Sequence, residues 1–292
     1  MKILILGGDG MIGHKIVQAL SAQNHEIVIS VRENRDLTFK SFSSKTKVFF
    51  NDFINDNILY LLDKVNPDVI INAIGITTRR VVTENISDTI YLNSFFPHQL
   101  SNWALAFKKR LIHFSTDCIF SGSEGSYLED TIPDALDYYG KTKGLGEINS
   151  KSSLTIRSSM IGPELFNKTE LFEWIINNKG KEINGFSKAL YSGVTTVYMA
   201  RLVAEFIENH KNLNGIYNVA SKPISKFELL HLINDNFDLG LIINEDKTVI
   251  SNKTLNASKI EKEIGIESPH WNDLIVELKK DYMNYTNLYK TK

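Results

Sequence analysis

The sequence predicts an α/β protein built on a doubly wound parallel sheet, with a smaller C-terminal α/β domain. Short apolar runs such as residues 3–6 and 69–71 alternate with segments of helical spacing such as 58–65. The first apolar run leads directly into a cluster of glycines, and a segment of helical spacing at 11–20 follows these glycines. Strands buried on both faces are typical of parallel sheets covered by helices, and right-handed crossovers then give a doubly wound fold.

The elements follow in a regular order as far as about Ser158. Strands are predicted at 3–6, 27–29, 48–50, 69–71, 111–114, 154–156 and 215–219, and helices at 11–20, 58–65, 87–107, 137–147, 194–208, 227–233 and 271–282. Pro97 is expected at a helix boundary or kink, and Gly162-Pro163 breaks the rhythm. We therefore predict a main domain at 1–158, joined by 193–220, and a mainly substrate-binding domain at 159–292.

Composition excludes several classes of protein. The 33 basic and 34 acidic residues give a net charge of −1, so no nucleic-acid or membrane partner is expected. No segment approaches the roughly 20 apolar residues that span a bilayer.

The single cysteine, Cys118, excludes an internal disulfide and is predicted to be a small buried residue rather than a nucleophile. The chain opens without signal-peptide features, and we expect a cytoplasmic protein without a metal site.

Glycines after the first strand indicate a dinucleotide site. The segment reads Gly7-Gly8-Asp9-Gly10-Met11-Ile12-Gly13, and the strand ends at Leu6. We therefore favour Gly7, Gly10 and Gly13 over the alternative spacing that begins at Gly8. Glycines allow a tight turn and close approach of a phosphate, which the N-terminus of the next helix favours. Met11 and Ile12 open this helix and are expected to contact the cofactor.

The end of the second strand bears on the choice of cofactor. It reads Ile29-Ser30-Val31-Arg32, without the acid that usually binds the ribose of NAD. Arg32 suits the 2′-phosphate of NADP, so NADP(H) is the predicted preference, with NAD(H) as the alternative. A solvated loop arginine explains Arg32 equally well.

Tyr139 and Lys143 form the candidate proton-transfer pair. They are spaced i, i+4 in a predicted helix, which puts the phenol and the ammonium on one face. A nearby cation favours the phenolate, so we expect a lowered pKa for Tyr139. The neighbouring Tyr138 has Thr142 at i+4 instead of a lysine. A surface Tyr/Lys pair is the alternative interpretation of this common spacing.

A second motif follows the strand at 111–114, in His113-Phe114-Ser115-Thr116-Asp117. The carboxyl end of a parallel strand is where an open α/β sheet places its ligand chemistry. Thr116 is therefore a candidate to bind a substrate oxygen beside Tyr139. Loop capping is the alternative for Ser115, Thr116 and Asp117.

Taken together, these motifs resemble the extended short-chain dehydrogenase/reductases with a Rossmann fold, and within them the dTDP-4-dehydrorhamnose reductase family. The resemblance spans essentially the whole chain. It is carried by the glycine motif, 69–73, Tyr91-Leu92-Asn93, Ser115-Thr116-Asp117 with 119–122, 139–143, Gly146-Glu147, Arg157-Ser158-Ser159 and 215–218.

This resemblance implies a mechanism and a set of site residues. The family's Thr-Tyr-Lys triad falls on Thr116, Tyr139 and Lys143. It implies transfer of a hydride from NADPH to C4 of a nucleotide-linked keto-deoxysugar, in polysaccharide or glycan precursor synthesis. It further implies a cytoplasmic enzyme, often a homodimer. The remaining implied contacts are with cofactor, at Asp52, Phe53, Asn72, Ala73 and Ile74, and with substrate, at Asp117 and Ser158.

Departures from the family pattern keep the substrate open. The loop at 75–80 ends in Arg79-Arg80, unlike the acid- and lysine-containing loop of the rhamnose enzymes. These arginines suit a phosphate or carboxylate, and equally a solvated surface. Cys118 stands where many relatives have tyrosine. Residues 164–176 and Trp271 are candidates for shaping the substrate pocket.

Three other functions remain open. A 4,6-dehydratase typically has Thr-Asp-Glu where this chain has Thr116-Asp117-Cys118. A 4-epimerase retains NAD tightly and has a serine-rich strand end. The third alternative is a non-catalytic regulatory subunit, like the beta subunit of methionine adenosyltransferase.

Overall fold

The structure is a computed structural model that describes residues 1–34, 46–78 and 85–289. Within these residues the main sheet consists of β1 Lys2–Leu6, β2 Glu26–Val31, β3 Lys47–Phe50, β4 Val69–Asn72, β5 Arg110–Ser115, β6 Ser153–Arg157 and β11 Gly215–Asn218. These seven strands are parallel and lie in the order β3-β2-β1-β4-β5-β6-β11. The predicted doubly wound parallel sheet is confirmed.

Helices cover both faces of this sheet because its strands are apolar on both sides. In β1, Ile3 and Ile5 belong to one buried cluster, while Leu4 and Leu6 belong to the other. Helix α1 (Gly13–Ser21) and a later helix at Thr196–Glu208 bury their apolar residues in the first cluster. Helix α2 (Ile58–Val65) and a helix at Phe96–Ala106 do so in the second.

The strand order positions the functional residues. From β1 the chain moves outward through β2 to β3, then returns to the other side of β1 with β4. This reversal brings the carboxyl ends of β1 and β4 together at a switch point, where open α/β sheets bind ligands. The loops after Leu6, Asn72 and Ser115 therefore meet at one edge.

The long helix predicted at 87–107 is divided into three parts. Helix α3 (Ile86–Ile90) continues into a π-helical turn at Tyr91–Phe95 and then into α4 (Phe96–Ala106). Pro97 is the second residue of α4, directly after the π-helical turn. The boundary expected there is confirmed.

The remaining elements build the C-terminal half. Small sheets pair β10 with β7, β9 with β12 and β14, and β13 with β8. Their strands are β7 Met160–Ile161, β8 Glu182–Phe186, β9 Ala189–Tyr191, β10 Val194–Thr195, β12 Ile224–Ser225, β13 Ile242–Asp246 and β14 Ser251–Asn252. The helices are α5 Tyr138–Leu145, α6 Leu171–Asn177, α7 Thr196–Glu208, α8 Lys226–Phe237, α9 Ser258–Ile264, α10 Trp271–Asn284 and α11 Thr286–Tyr289, with a 3-10 turn at Asp117–Ile119.

The predictions were less complete here than in the N-terminal half. Residues 194–195, predicted as helix, form a strand, and Thr195 caps the helix that follows. The short strands at 182–191 and 242–252 were not predicted, since two to five residues carry little periodicity. Among the described residues, no helix has the length and apolar character needed to cross a membrane.

Candidate active site

The glycine loop turns sharply between β1 and α1. Gly7 has φ +77°, a left-handed conformation that glycine adopts without strain, and its carbonyl oxygen accepts a hydrogen bond from Gly10 N at 3.0 Å. A Cβ at Gly13 would lie 2.0 Å from the Gly7 oxygen. Gly13 therefore allows α1 to pack directly against the turn, which explains the favoured Gly7, Gly10 and Gly13 spacing.

A cleft of about 760 Å³ opens at the carboxyl ends of the parallel strands. Most of the predicted site residues line it: Gly7, Gly10, Met11, Ile12, Arg32, Asp52, Phe53, Asn72, Ala73, Ile74, Thr116, Tyr139, Lys143 and Ser158. Gly13 and Asp117 lie behind the lining. Arg79 and Arg80 lie outside the described residues. The two sequence motifs are thus brought to one cavity, although 126 positions separate Gly13 from Tyr139.

One end of the cleft carries a cation and an aromatic floor. The Arg32 guanidinium is about half exposed and forms an ion pair with Glu33, at 3.5 Å between Nη2 and Oε1. Phe53 is buried and packs against Phe96, with ring centroids 5.3 Å apart. Asp52 also lines the cleft. This end therefore combines an aromatic ring in the lining with a half-exposed positive charge.

The Asn72 side chain holds the backbone that forms the middle of the cleft. Its Nδ2 donates to Nδ1 of the buried His113 at 3.1 Å, and its Oδ1 accepts from Ile74 N at 3.2 Å. Burial lowers the pKa of His113 well below its usual value, so this imidazole is neutral and Nδ1 can accept. Asn72 therefore holds the Ala73–Ile74 segment in place rather than pointing freely into solvent.

Asn93, on the π-helical turn, connects the segment at Ile76 to helix α5 near the centre of the cleft. Its Oδ1 accepts from Ile76 N at 2.8 Å, and its Nδ2 donates to Ile76 O at 3.0 Å and to Thr142 Oγ1 at 3.2 Å. Thr142 lies between Tyr139 and Lys143 on α5. Sequence reasoning assigned Asn93 no role, although the Tyr91-Leu92-Asn93 motif had marked it.

Tyr139 lies in the first turn of α5, whose start is capped by Asp137. The Asp137 Oδ1 accepts from Gly140 N at 2.9 Å. Burial raises the pKa of Tyr139, and the neighbouring Cys118, Asp117 and Glu170 raise it further, while the Thr116 hydroxyl opposes the shift. The expectation of a lowered pKa was therefore wrong for the free protein, because desolvation of the phenol outweighs the effect of any cation. The phenol is protonated.

Lys143 is buried one turn further along α5, with a side-chain environment that disfavours its charge. Its Nζ donates to the carbonyl oxygen of Phe114 at 2.6 Å. Burial lowers the pKa of Lys143 to about 8, and Glu147 partly opposes this shift. The Lys143 ammonium therefore lies at the floor of the cleft, and it loses its proton at a pH close to neutral.

Thr116, Asp117 and Cys118 form the turn that follows β5. Thr116 Oγ1 accepts from Cys118 N and donates to Asp117 Oδ1, each at 3.1 Å. Burial raises the pKa of the Asp117 carboxyl. Cys118, predicted to be a small buried residue rather than a nucleophile, is partly buried and lines the cleft. Burial and Asp117 raise the pKa of its thiol to about 12, which keeps it protonated.

The opposite wall carries two glutamates from the 164–176 segment, where no individual role had been predicted. Glu164 Oε2 accepts from Thr169 N at 2.6 Å and Glu170 N at 2.8 Å. Glu170 Oε1 accepts from Thr77 Oγ1 at 3.1 Å across the cleft. Both glutamates line the cavity, as Thr77 does, whereas Trp271 does not. Only the folded chain brings these acids opposite Tyr139, so no local spacing could have identified them.

Comparison with known proteins identifies the family. Residues 1–284 match the RmlD substrate binding domain family. The chain belongs to this family. It is 25% identical over 296 residues to the dTDP-4-dehydrorhamnose reductase of Aggregatibacter actinomycetemcomitans, covering 92% of this chain and 95% of that protein. It is 24% identical over 304 residues to methionine adenosyltransferase 2 subunit beta of Rattus norvegicus, covering 94% and 88%.

Solved structures share the fold of this RmlD-family chain. A hypothetical dTDP-4-dehydrorhamnose reductase from Sulfolobus tokodaii superimposes with a TM-score of 0.77 at 24% identity, over 94% of this chain and 98% of that one. The dTDP-4-dehydrorhamnose reductase of Bacillus anthracis, solved in complex with NADP, gives a TM-score of 0.74 at 17% identity, over 96% and 99%. The resemblance inferred from the sequence motifs is confirmed.

Proposed function

We propose that this protein catalyses the NADPH-dependent reduction of a 4-keto group on a nucleotide-linked deoxysugar. The observation that carries the proposal is the convergence of Thr116, Tyr139 and Lys143 in the cleft that the glycine loop also lines. Membership of the RmlD substrate binding domain family supports it, as does the reductase relative matched along nearly its whole length.

The residues present fit a nicotinamide dinucleotide. Gly7, with its left-handed turn, and Gly10 open the approach to the N-terminus of α1, where a pyrophosphate is favoured. The aromatic floor at Phe53 suits an adenine, and the half-exposed Arg32 suits a 2′-phosphate. When bound, NADPH supplies the hydride. NADP(H) is the proposed preference, which the NADP complex of the Bacillus anthracis relative supports, with NAD(H) as an alternative.

The chain's own residues supply the proton and the orientation. Tyr139, protonated by virtue of its raised pKa, donates its proton to the oxygen of the developing alkoxide. The Thr116 hydroxyl, which donates to Asp117 Oδ1 in this structure, would turn to donate its hydrogen bond to the same oxygen. Lys143 then stabilises the phenolate that is formed and binds the nicotinamide ribose. The raised pKa makes the free phenol a weaker acid, so the transfer depends on Lys143, whose positive charge favours the phenolate that forms.

The acidic wall favours a neutral sugar. Carboxylates accept hydrogen bonds from hydroxyl groups, and Glu164 and Glu170 would repel an acidic substituent. We propose Ser158 as a further contact, since it is buried and lines the cleft. Asp117, Arg79 and Arg80 stay predictions of the sequence. The cytoplasmic location, the homodimer and a role in polysaccharide precursor synthesis also stay predictions.

The test is a turnover assay with matched tyrosine variants. Purified protein is mixed with NADPH and a panel of nucleotide-linked 4-keto-6-deoxysugars, and the absorbance of the reduced nicotinamide is followed. We expect oxidation of NADPH with at least one sugar, reduced by at least about 100-fold in Tyr139→Phe because the proton donor is removed. Tyr138→Phe, at the exposed neighbour, should retain activity. Product formed without net consumption of NADPH would contradict the reductase and favour an epimerase or dehydratase.

A regulatory binding subunit is the second candidate. The observation that favours it is the match to methionine adenosyltransferase 2 subunit beta over 94% of this chain. NADPH binding with no turnover on any sugar of the panel would support this function. A stable complex with a methionine adenosyltransferase catalytic subunit in size-exclusion chromatography would then establish it.

A further inference from the structure

Helix α11 reaches back to the glycine loop through His14. His14 is fully buried, and its Nδ1 lies 2.9 Å from the carbonyl oxygen of Gly10. Its Nε2 lies 3.2 Å from the hydroxyl of Tyr289, which is 275 positions away in the chain. The two rings pack edge to face, with centroids 5.9 Å apart.

The chemistry of the partners determines the direction of both hydrogen bonds. A carbonyl oxygen can only accept, so Nδ1 of His14 carries the proton and donates to Gly10. Burial lowers the pKa of His14 to about 3, so the ring is neutral and Nε2 has a free lone pair. The Tyr289 hydroxyl therefore donates to Nε2. Each polar atom of the pair is satisfied only in this arrangement.

His14 sets the orientation of one peptide in the glycine loop. The Gly10 carbonyl also accepts from His14 N at 3.1 Å, so two donors hold it toward the helix. Because a trans peptide is planar, the Met11 N–H points opposite to this carbonyl. Gly10 and Met11 both line the cleft. The side chain of His14 thus holds the peptide whose N–H is available to an anion at the start of α1.

Tyr289 is itself held from the opposite wall. Lys168 Nζ donates to its carbonyl oxygen at 2.7 Å, and Lys168 adjoins Asn167, which lines the cleft. The Tyr289 ring stacks on Tyr282, with centroids 5.1 Å apart and planes 3° from parallel. An ion pair between the buried Lys15 and the partly buried Asp281, with Nζ and Oδ1 2.7 Å apart, joins α1 to α10 independently of Tyr289.

We propose that Tyr289 is a positioning residue for cofactor binding. It orients the Gly10–Met11 peptide through His14. Lys168, which adjoins the cleft-lining Asn167, anchors Tyr289 to the opposite wall of the cleft. We name His14, Lys168 and Tyr289 the Tyr289 clasp. This inference rests on the proposed function only in taking a nicotinamide dinucleotide as the ligand of the glycine loop. It adds that a contact from the far end of the described chain controls affinity for that ligand.

The test compares Tyr289→Phe with Tyr282→Phe. Tyr289→Phe keeps the stacked ring and removes only the hydroxyl, whereas the Tyr282 hydroxyl donates no hydrogen bond to any described residue. NADPH affinity is measured by fluorescence titration, and kcat and KM by NADPH oxidation. We expect Tyr289→Phe to weaken NADPH binding about three- to ten-fold, with kcat at saturating NADPH within about two-fold of wild type. Tyr282→Phe should leave NADPH affinity unchanged.

Two further variants test whether Tyr289 affects cofactor binding through its contacts with His14 and Lys168. If Tyr289 acts through His14, the double variant His14→Leu/Tyr289→Phe should bind NADPH no more weakly than His14→Leu alone. Lys168→Met should also weaken NADPH binding, although Lys168 lies on the other wall. Unchanged affinity in Tyr289→Phe, or an equal loss in Tyr282→Phe, would overturn the proposal.

Normal NADPH binding with no reduction of any sugar would overturn the reductase function but not the proposed role of the Tyr289 clasp. A wild-type protein that binds no NADPH would overturn both.

Discussion

Lys143 donates a hydrogen bond from its buried Nζ to the carbonyl oxygen of Phe114 at 2.6 Å. This contact joins α5 to β5 just before Thr116, so it fixes the distance between two members of the proposed triad. It also places an ammonium where burial lowers its pKa to about 8. This arrangement of Lys143 therefore has a cost in stability, since the folded protein holds a charge that water would solvate better.

This cost predicts a specific pH dependence of stability. The pKa of Lys143 is about 8 when folded and about 10.5 when exposed. Between these values the unfolded chain binds the proton that the folded protein has lost, so the Lys143 contribution to the free energy of unfolding rises with pH. From pH 7.5 to 9.5 the free energy of unfolding should rise by about 2 kcal/mol more in wild type than in Lys143→Met. Urea denaturation at both pH values measures it. An identical change in the two proteins would contradict the prediction.

Glu170 should control the charge of the sugar that is accepted. Glu170 lines the cleft that Tyr139 also lines, and its Oε1 accepts from Thr77 Oγ1 at 3.1 Å. We expect wild type, loaded with NADPH, to bind UDP-glucose more tightly than UDP-glucuronate. Glu170→Gln keeps the acceptor for Thr77 and removes the charge, and should reduce this preference about five-fold. Calorimetric titration measures both affinities. Glu267→Gln, on the exposed surface, is the control, and an equal change there would refute the prediction.

Arg32 should decide between the two cofactors. Arg32→Ala removes the only described cation at that end of the cleft and should weaken NADPH binding about ten- to thirty-fold, with little effect on NADH. The matched control is Arg201→Ala, since Arg201 is also exposed and ion-paired, with Glu277 on another helix. Equal losses for NADPH and NADH, or tighter NADH binding in wild type, would show that Arg32 is a solvated loop residue.

The buried pair of Arg157 and Glu147 should be important for stability. Arg157 donates from Nε and Nη2 to the two oxygens of Glu147 at 2.7 and 2.8 Å, and from Nη1 to Glu129 O at 3.0 Å. Ser115 Oγ donates to the same carboxylate at 2.6 Å. Arg157→Met leaves a buried carboxylate without its cation and should cost about 3–5 kcal/mol in urea unfolding. The double variant Arg157→Met/Glu147→Leu should recover most of this loss; a double variant as unstable as the single one would contradict the explanation.

Local patterns were sufficient for much of the main sheet. The apolar run at Ile3–Leu6 and the glycines after it identified β1 and its turn, because strand period and backbone freedom are properties of adjacent residues. The helix at Ile58–Val65 was predicted with its observed bounds. The short strands β12 and β14 were not, since each is fixed by pairing with β9 rather than by its own composition.

What the sequence by itself determined is the doubly wound sheet, the glycine turn and the i, i+4 pairing of Tyr139 with Lys143, all of which depend on residues close together in the chain. Tertiary structure decided the rest. The raised pKa of Tyr139 reverses the expectation from its neighbouring lysine, because desolvation depends on everything packed around the phenol. In the same way, Glu170 meets Thr77 and Tyr289 meets His14 only once the chain has folded, since these contacts join segments that no local pattern relates.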